Sequence, residues 1–377
     1  MEFCIKVFKS VMNCIYKILK LFKTKNKVTF ISRQSNKIGI DFKLLVEEIK
    51  KESPETKIVV LNKELNKNII SKIIYFFHMF VQMYHIATSK VIILDGYCIM
   101  ISILKHKKEL KVVQIWHALG SLKKFGYSTI GKKDGRDSKI AELMEMHKNY
   151  DYVLTSSKES RPFFREAFNI QNEKMLVMSL PRVDYLQSDK YKEIITNKFY
   201  EIYCECDTKK ENILYCPTHR KKENIDSVKI EELVKSIDLD KYNFVVKLHD
   251  GQEYVYTYNK NYKEQTDFTG MDLLHIADYI ITDYSAIVYE ASILEKPIYF
   301  YTYDYDKYMD DRGWYIDYNK EMPGPIVSDF DNIVKMIESK KFDKQKIIEF
   351  RNKYIEDLSK KSTNKLTKFI LELIKVS

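Results

Sequence analysis

Apolar positions along the chain follow two periods. Short β-branched runs bounded by polar residues predict strands, and stretches with apolar residues three and four apart predict helices. The clearest unit spans residues 278–301. Tyr279-Ile280-Ile281-Thr282 reads as a buried strand ending at Asp283. Ile287, Val288, Ala291 and Leu294 then share a helical face. Asp283 and Ser285 are both N-cap residue types, so the helix is expected to start within a residue or two of Ser285. Lys296-Pro297 stops it, and Ile298-Tyr299-Phe300-Tyr301 is a second strand. A strand-to-helix turn of this kind offers backbone N–H groups and a positive dipole end to an anion. Most such turns in α/β proteins bind nothing, so this stretch alone leaves a phosphate site open.

The same alternation runs through the rest of the chain. Strands are expected at 27–32, 58–61, 91–94, 111–115, 152–155, 212–216 and 244–248, and helices near 41–52, 331–357 and 363–376. Residues 69–87 are apolar enough to span a bilayer. Strands flank them closely, which favours a crossover helix partly facing lipid. Phe8, Val11, Met12, Ile15, Ile18, Leu19 and Phe22 form a helical stripe interrupted by Lys6, Lys9, Lys17 and Lys20. Those lysines argue against a spanning helix and for a basic amphipathic helix on an anionic membrane surface. The alternatives are a helix packed on the protein's own body and an uncleaved signal-like segment. No small-residue cleavage site follows it.

At 377 residues the chain exceeds one ordinary core, and strand–helix alternation in both halves predicts two α/β domains with parallel sheets. Expected divisions are 1–26 for the basic amphipathic helix, 27–195 for an N-terminal α/β domain, 205–340 for a C-terminal α/β domain and 341–377 for helices packing back on the body. The boundary is placed in the polar stretch 187–210. Two doubly wound domains bind ligands in a crevice at the carboxyl ends of their strands. The net charge of +10 suits nucleotide phosphates, an anionic membrane or nucleic acid. The lysines are spread out and no nucleic-acid motif occurs, so nucleic acid is not expected as a partner. Six cysteines without paired metal-ligand spacing fit a reduced, cytosolic compartment.

Polar clusters gather just after predicted strands. They are Trp116-His117-Ala118-Leu119-Gly120-Ser121-Leu122-Lys123-Lys124, Pro217-Thr218-His219-Arg220, His249-Asp250-Gly251 and Asp283-Tyr284-Ser285. One such cluster is more often structural than functional; four on one rim outweigh that reading. Together with Gly126, Pro181-Arg182-Val183-Asp184, Lys247-Leu248-His249, Lys296-Pro297, Arg312-Gly313, Asp317-Tyr318 and Pro323-Gly324-Pro325, they run over roughly residues 110–327. In this order the motifs resemble the CDP-glycerol glycerophosphotransferases of teichoic acid and capsule synthesis. The chain departs from the family's pattern at Ala118, His219, Asp250 and Ala286, the last removing a hydroxyl from the phosphate turn.

The resemblance implies a GT-B-like fold, two doubly wound parallel-sheet domains facing a central crevice. It implies an enzyme peripheral to the cytoplasmic face of the cell membrane. That enzyme would transfer glycerol phosphate from CDP-glycerol to an undecaprenyl-diphosphate-linked acceptor and release CMP. Alternatives on the same fold are a CDP-ribitol or nucleotide-sugar transferase, or a non-catalytic nucleotide-binding protein at the membrane. His117 and His249 are the implied catalytic residues, with His117 as base. Thr218, Arg220, Lys247, Thr282, Asp283, Ser285, Ala286 and Glu290 are the expected CDP-glycerol contacts. Each has a plainer alternative: His249 or Asp283 as a cap, Lys247 as a solvated strand end, Glu290 solvated or in a helix pair. No carboxylate cluster invites a metal, so none is expected to be obligatory, although Mg²⁺ can accompany the nucleotide.

Overall fold

The computed structural model describes residues 1–65, 68–132, 135–218, 227–248, 254–257, 262–265, 268–311 and 313–376. It divides into two units: Met1–Ala118, Lys124–Asp184 and Glu356–Ser377 form the first, and Leu119–Lys123 with Tyr185–Ile355 the second. Each is built on its own sheet.

The first sheet comprises β1 (Lys27–Ser32), β2 (Lys57–Asn62), β3 (Val91–Leu94), β4 (Lys111–Gln114), β5 (Tyr152–Thr155) and β6 (Met175–Val177). Their order is β2-β1-β3-β4-β5-β6, all parallel. Every residue of β1 and β3 is buried, as expected of inner strands covered on both faces, and this explains the unbroken apolar run of β3. The chain leaves β1 in one direction for β2 and crosses back to β3, so the switch point lies between β1 and β3.

Helix Ile69–Thr88 makes that return crossover. Tyr75, Met79, Met83, Ile86 and Ala87 enter the core, while Ile69, Ile70, Ile73 and Phe77 stay exposed. It is long and apolar enough to cross a membrane by length and composition. Its packed face and the short links to β2 and β3 instead make it part of the sheet's cover. The N-terminal helix, Glu2–Leu19, divides its stripe likewise. Met12 and Tyr16, with Phe8, Ile15 and Leu19 beside them, pack into the same core; Phe3, Val7, Val11 and Ile18 face out. Residues 1–26 are therefore built into the first unit rather than standing apart, with one face packed on the protein's own body and the other exposed.

The second sheet contains β7 (Glu211–Tyr215), β8 (Tyr242–Lys247), β9 (Tyr254–Thr257), β10 (Tyr262–Gln265), β11 (Tyr279–Thr282), β12 (Ile298–Tyr301) and β13 (Ile326–Val327). Its order is β10-β9-β8-β7-β11-β12-β13. All pairs from β8 to β13 are parallel, and β9 and β10 add an antiparallel edge. The switch point here falls between β7 and β11.

Three expectations need correcting. The polar stretch 187–210 is largely a helix, Asp189–Ile202, whose N-cap Ser188 accepts from the Tyr191 N–H. It belongs to the second unit, so the division falls at Asp184. Residues 331–357 form two helices, Phe330–Glu338 and Lys344–Tyr354, separated by a turn in which Lys340 takes φ 51° and Asp343 caps the next helix. From Glu356 the chain rejoins the first unit. There helix Ser362–Val376 receives two bonds from one carboxylate: Asp184 accepts the N–H groups of Ser362 and Thr363 at 3.0 and 2.8 Å.

Candidate active site

In the first unit the carboxyl ends of β1, β3 and β4 hold the polar groups. Gln114, the last residue of β4, organises the turn that follows. Its amide oxygen takes the Trp116 N–H at 2.9 Å, and its amide nitrogen donates to the Gly96 carbonyl at 2.9 Å. Trp116 adopts φ 63°, a left-handed conformation that costs a large L-residue about 1–2 kcal/mol. Packing over-determines it: the indole stacks on Phe125 at 4.9 Å and lies edge-on to Phe168. The turn throws His117 outward, its ring 4.0 Å from the indole. Gly126 sustains this wall, since at its φ of +57° a side chain would run into the Ala167 carbonyl.

His117 Nδ1 lies 2.8 Å from the Asp95 carbonyl oxygen. The Gln34 amide nitrogen is 3.1 Å from the same atom, but a carbonyl can only accept, so the shorter contact sets the tautomer. Nδ1 carries the proton and Nε2 is the basic nitrogen. The His117 carbonyl in turn accepts from Arg182 Nη1 at 2.9 Å. Arg182 is buried against Asp41: its N–H, Nε and Nη2 donate to that carboxylate at 2.8, 2.9 and 2.5 Å. Asp41 lies in the first turn of helix Ile40–Glu52, where the dipole also favours a carboxylate. Beside them, burial and then the nearby Asp41 push the Asp95 carboxyl up to about 7.

In the second unit the corresponding edge joins β7 to β11. Asp283 accepts the Thr218 N–H at 2.8 Å and its hydroxyl at 2.6 Å, and the Asp283 carbonyl accepts from Tyr318 at 2.9 Å. Asp283 thus ties two strand ends together instead of capping the next helix, Ile287–Ile293, whose N-cap is Ala286. Thr282 is fully buried and donates to the Cys216 carbonyl at 2.8 Å, so its hydroxyl proton is used inside the sheet. Ser285 and Ala286 are half-buried at the turn itself, and the Ser285 Oγ accepts the Ile287 N–H at 3.3 Å. Lys247 and Glu290 are buried, with 7% and 5% of their surface exposed, so neither is the solvated group that its plainer reading supposes. His219, Arg220, His249, Asp250 and Arg312 lie outside the described residues.

Other motif residues build the scaffold. Lys296 donates to the carbonyls of Leu274, His275 and Ala277. Tyr284 stacks on Tyr308 at 3.9 Å, and Lys123 donates to the Tyr308 hydroxyl at 3.0 Å. Gly120 lets the Tyr289 ring pack on the backbone, because an added Cβ would lie 2.6 Å from that ring.

A family model, CDP-Glycerol:Poly(glycerophosphate) glycerophosphotransferase, matches residues 14–372. The chain belongs to this family. It is 31% identical over 386 residues to the teichoic acid ribitol-phosphate primase of Bacillus spizizenii, covering 98% of this chain and 97% of that one. It is 30% identical over 302 residues to the teichoic acid glycerol-phosphate primase of Bacillus subtilis, covering 79% and 77%. Among solved structures, the wall teichoic acid polymerase TagF superposes with a TM-score of 0.76 at 20% identity, over 99% of this chain and 98% of that one. That likeness shows the GT-B-like fold. As a member of the glycerophosphotransferase family, the chain is a phosphotransferase of the teichoic acid type.

Asp41, Asp95 and Gln34 are the groups that sequence reasoning missed around His117. Asp95 carried the signal already in use, a polar residue directly after a predicted strand. Gln34 carried it too, two residues past the predicted strand 27–32, whereas Asp41 carried none, since its relevance depends on the order in which strands sit in the sheet.

Proposed function

We propose that this glycerophosphotransferase moves glycerol phosphate from CDP-glycerol to a hydroxyl of an undecaprenyl-diphosphate-linked acceptor. The acceptor oxygen attacks the phosphorus that bears glycerol, the bond from that phosphorus to the CMP oxygen breaks, and CMP leaves. The proton of the attacking hydroxyl passes to His117 Nε2. The observation that carries this reading is the fixed tautomer: the Asp95 carbonyl takes the Nδ1 proton, so the ring meets its substrate through an accepting nitrogen. Phosphoryl transfer otherwise needs positioning and charge stabilisation. Thr218, Lys247, Ser285 and Ala286 sit at the carboxyl edge of the second sheet, where doubly wound folds take nucleotides. Arg220 and His249 are assigned to the diphosphate from their motifs, and Glu290 to the ribose. No metal is required in this scheme, and Mg²⁺ accompanies the nucleotide at most.

A CDP-ribitol donor is the second reading, favoured by the ribitol-phosphate primase as a relative over nearly the whole chain. CMP release with a lipid-linked acceptor, measured with each donor in turn, decides between them. CDP-glycerol is expected to be used at least about tenfold better, a difference of about 1.4 kcal/mol in transition-state binding. Preference for CDP-ribitol would replace the donor. Release with neither would reject the transfer itself.

Peripheral association with the cytoplasmic membrane face completes the proposal. The outward faces of helices Glu2–Leu19 and Ile69–Thr88 expose Phe3, Val7, Val11, Ile18, Ile70 and Phe77, with Lys6 and Lys17 alongside. Each lysine near an anionic surface adds about 1 kcal/mol. Screening at 1 M salt shortens the reach of that attraction to about 3 Å. The protein is expected to pellet with anionic vesicles at low salt and to be largely released at high salt. Retention at high salt after deletion of residues 1–23 would instead indicate insertion by Ile69–Thr88.

A further inference from the structure

The edge of the first sheet opposite His117 also carries a cavity, of about 430 Å³. Leu110, Asp151 and Lys174 line it, and each immediately precedes a strand, β4, β5 or β6. His117 follows β4, so a strand of four residues, about 13 Å, separates the two edges. The donor chemistry therefore does not account for this cavity.

Its charge is strongly one-sided. Lys9, Lys105, Lys107, Lys108, Lys148 and Lys174 line it, against the carboxylates of Glu145 and Asp151. Both acids are already engaged: Glu145 pairs with Lys9 at 3.3 Å and Lys148 at 2.8 Å, and Asp151 accepts the Val112 N–H at 2.8 Å. Lys9 and Lys174 are anchored on the carbonyls of Leu143 and Tyr150, both at 2.9 Å, which holds their ammonium groups in place and leaves each with further N–H donors.

The backbone around the cavity is tied down as well. Asn13 donates to the Ile103 carbonyl at 2.9 Å and accepts the Lys105 N–H at 3.0 Å. Asn149 donates to the carbonyls of Ile101, Ser102 and Leu104. Tyr16 and the Ile101 carbonyl engage the two nitrogens of His106 at 3.2 and 2.7 Å. A concave, pre-arranged group of lysines matches a compact anion of high charge density, which is the chemistry of phosphate.

We infer that this cavity binds a phosphate-bearing anion, the headgroup of an acidic phospholipid. Lys107, which lines the cavity, donates to the Phe22 carbonyl at 2.8 Å, and the Leu21 and Phe22 side chains are exposed there. A bilayer against those side chains brings its headgroups beside the cavity. Assignment to a lipid rests on the membrane docking proposed above; the anion site does not. Free phosphate offers the same charge from another source.

The test uses the full chain and the double variant Lys105→Gln/Lys108→Gln, two exposed residues of the cavity outside the transfer machinery. Dihexanoyl phosphatidylglycerol below its micelle concentration, dihexanoyl phosphatidylcholine and inorganic phosphate are titrated separately by calorimetry. Phosphatidylglycerol is expected to bind best and to lose at least about fivefold in affinity in the variant, with CMP release on a soluble acceptor unchanged. Inorganic phosphate binding as tightly as phosphatidylglycerol, and equally weakened, would support the anion site while overturning the lipid as its source. Affinities that are the same in wild type and variant, or no binding of either anion, would overturn the site. Lys105→Glu/Lys108→Glu provides a second variant, expected to abolish the binding. A negative result here with normal CMP release would leave the transfer proposal standing.

Discussion

His117→Ala is expected to lower kcat at least about a hundredfold while leaving the affinity for CDP-glycerol within about twofold. A positioned general base contributes about 10²–10⁴ to the rate. The ring also stacks on Trp116, but the turn has independent supports: Gln114 holds the Trp116 N–H, and Phe125 and Phe168 hold the indole. Removing the imidazole should therefore leave the loop in place. The effect should appear in kcat and not in donor binding, because the donor is assigned to the second unit. His117→Gln sharpens the test. Its amide nitrogen can still reach the Asp95 carbonyl, yet it offers no comparable base, so it should be as slow as the alanine variant. Near-normal turnover in either would remove His117 from proton transfer. A large rise in KM with unchanged kcat would make it a substrate contact instead.

The strand pattern of this protein was legible because inner parallel strands are buried on both faces. Val91-Ile92-Ile93-Leu94 and Tyr279-Ile280-Ile281-Thr282 have no polar alternation to confuse with a helix. The strands that escaped notice lie toward the sheet edges or are very short. β6 and β13 have three and two residues, and β9 and β10, Tyr-Val-Tyr-Thr and Tyr-Lys-Glu-Gln, are four-residue strands at an antiparallel edge. Helix Asp189–Ile202 was hidden by its polarity, since among its described residues only Phe199 is fully buried. Sequence reading equates polar with irregular, whereas a surface helix needs only a thin apolar stripe.

The site was legible as a set of strand ends and less so as a set of roles. The rule that polar clusters follow strands selected Trp116-His117, Thr218 and Asp283, and these do stand at carboxyl edges beside switch points. It could not separate groups that face a ligand from groups that hold the edge together. Thr282, Asp283 and Lys296 bond to the protein's own backbone, and such bonds link residues dozens of positions apart. The motif Pro181-Arg182-Val183-Asp184 shows the same limit. Its two charged side chains serve different tasks in the first unit: Arg182 reaches the His117 carbonyl, and Asp184 receives the C-terminal helix. Strand order and chain return decide both, and neither is written in local spacing.

Arg182→Ala is expected to destabilise the first unit by about 3–5 kcal/mol, the usual consequence of leaving one member of a buried ion pair behind. Arg182 and Asp41 are 9% and 6% exposed, with a guanidinium-to-carboxylate distance of 2.5 Å. Water cannot readily replace the lost partner. Asp41→Ala should cost a similar amount, because the buried guanidinium would then lose its carboxylate partner. The double variant should lose clearly less than the sum of the two, since it leaves neither charge stranded. Arg182→Lys separates support from catalysis. An ammonium keeps the charge opposite Asp41, but it cannot span the carboxylate and the His117 carbonyl with a planar fork. This variant should fold with a modestly lower Tm and show a kcat reduced about tenfold, with donor affinity preserved. Thermal unfolding and steady-state CMP release on the three variants test the pair. Additive losses in the double variant would mean that the two charges do not depend on each other. A normal kcat in Arg182→Lys would show that His117 is positioned without the Arg182 bond to its carbonyl.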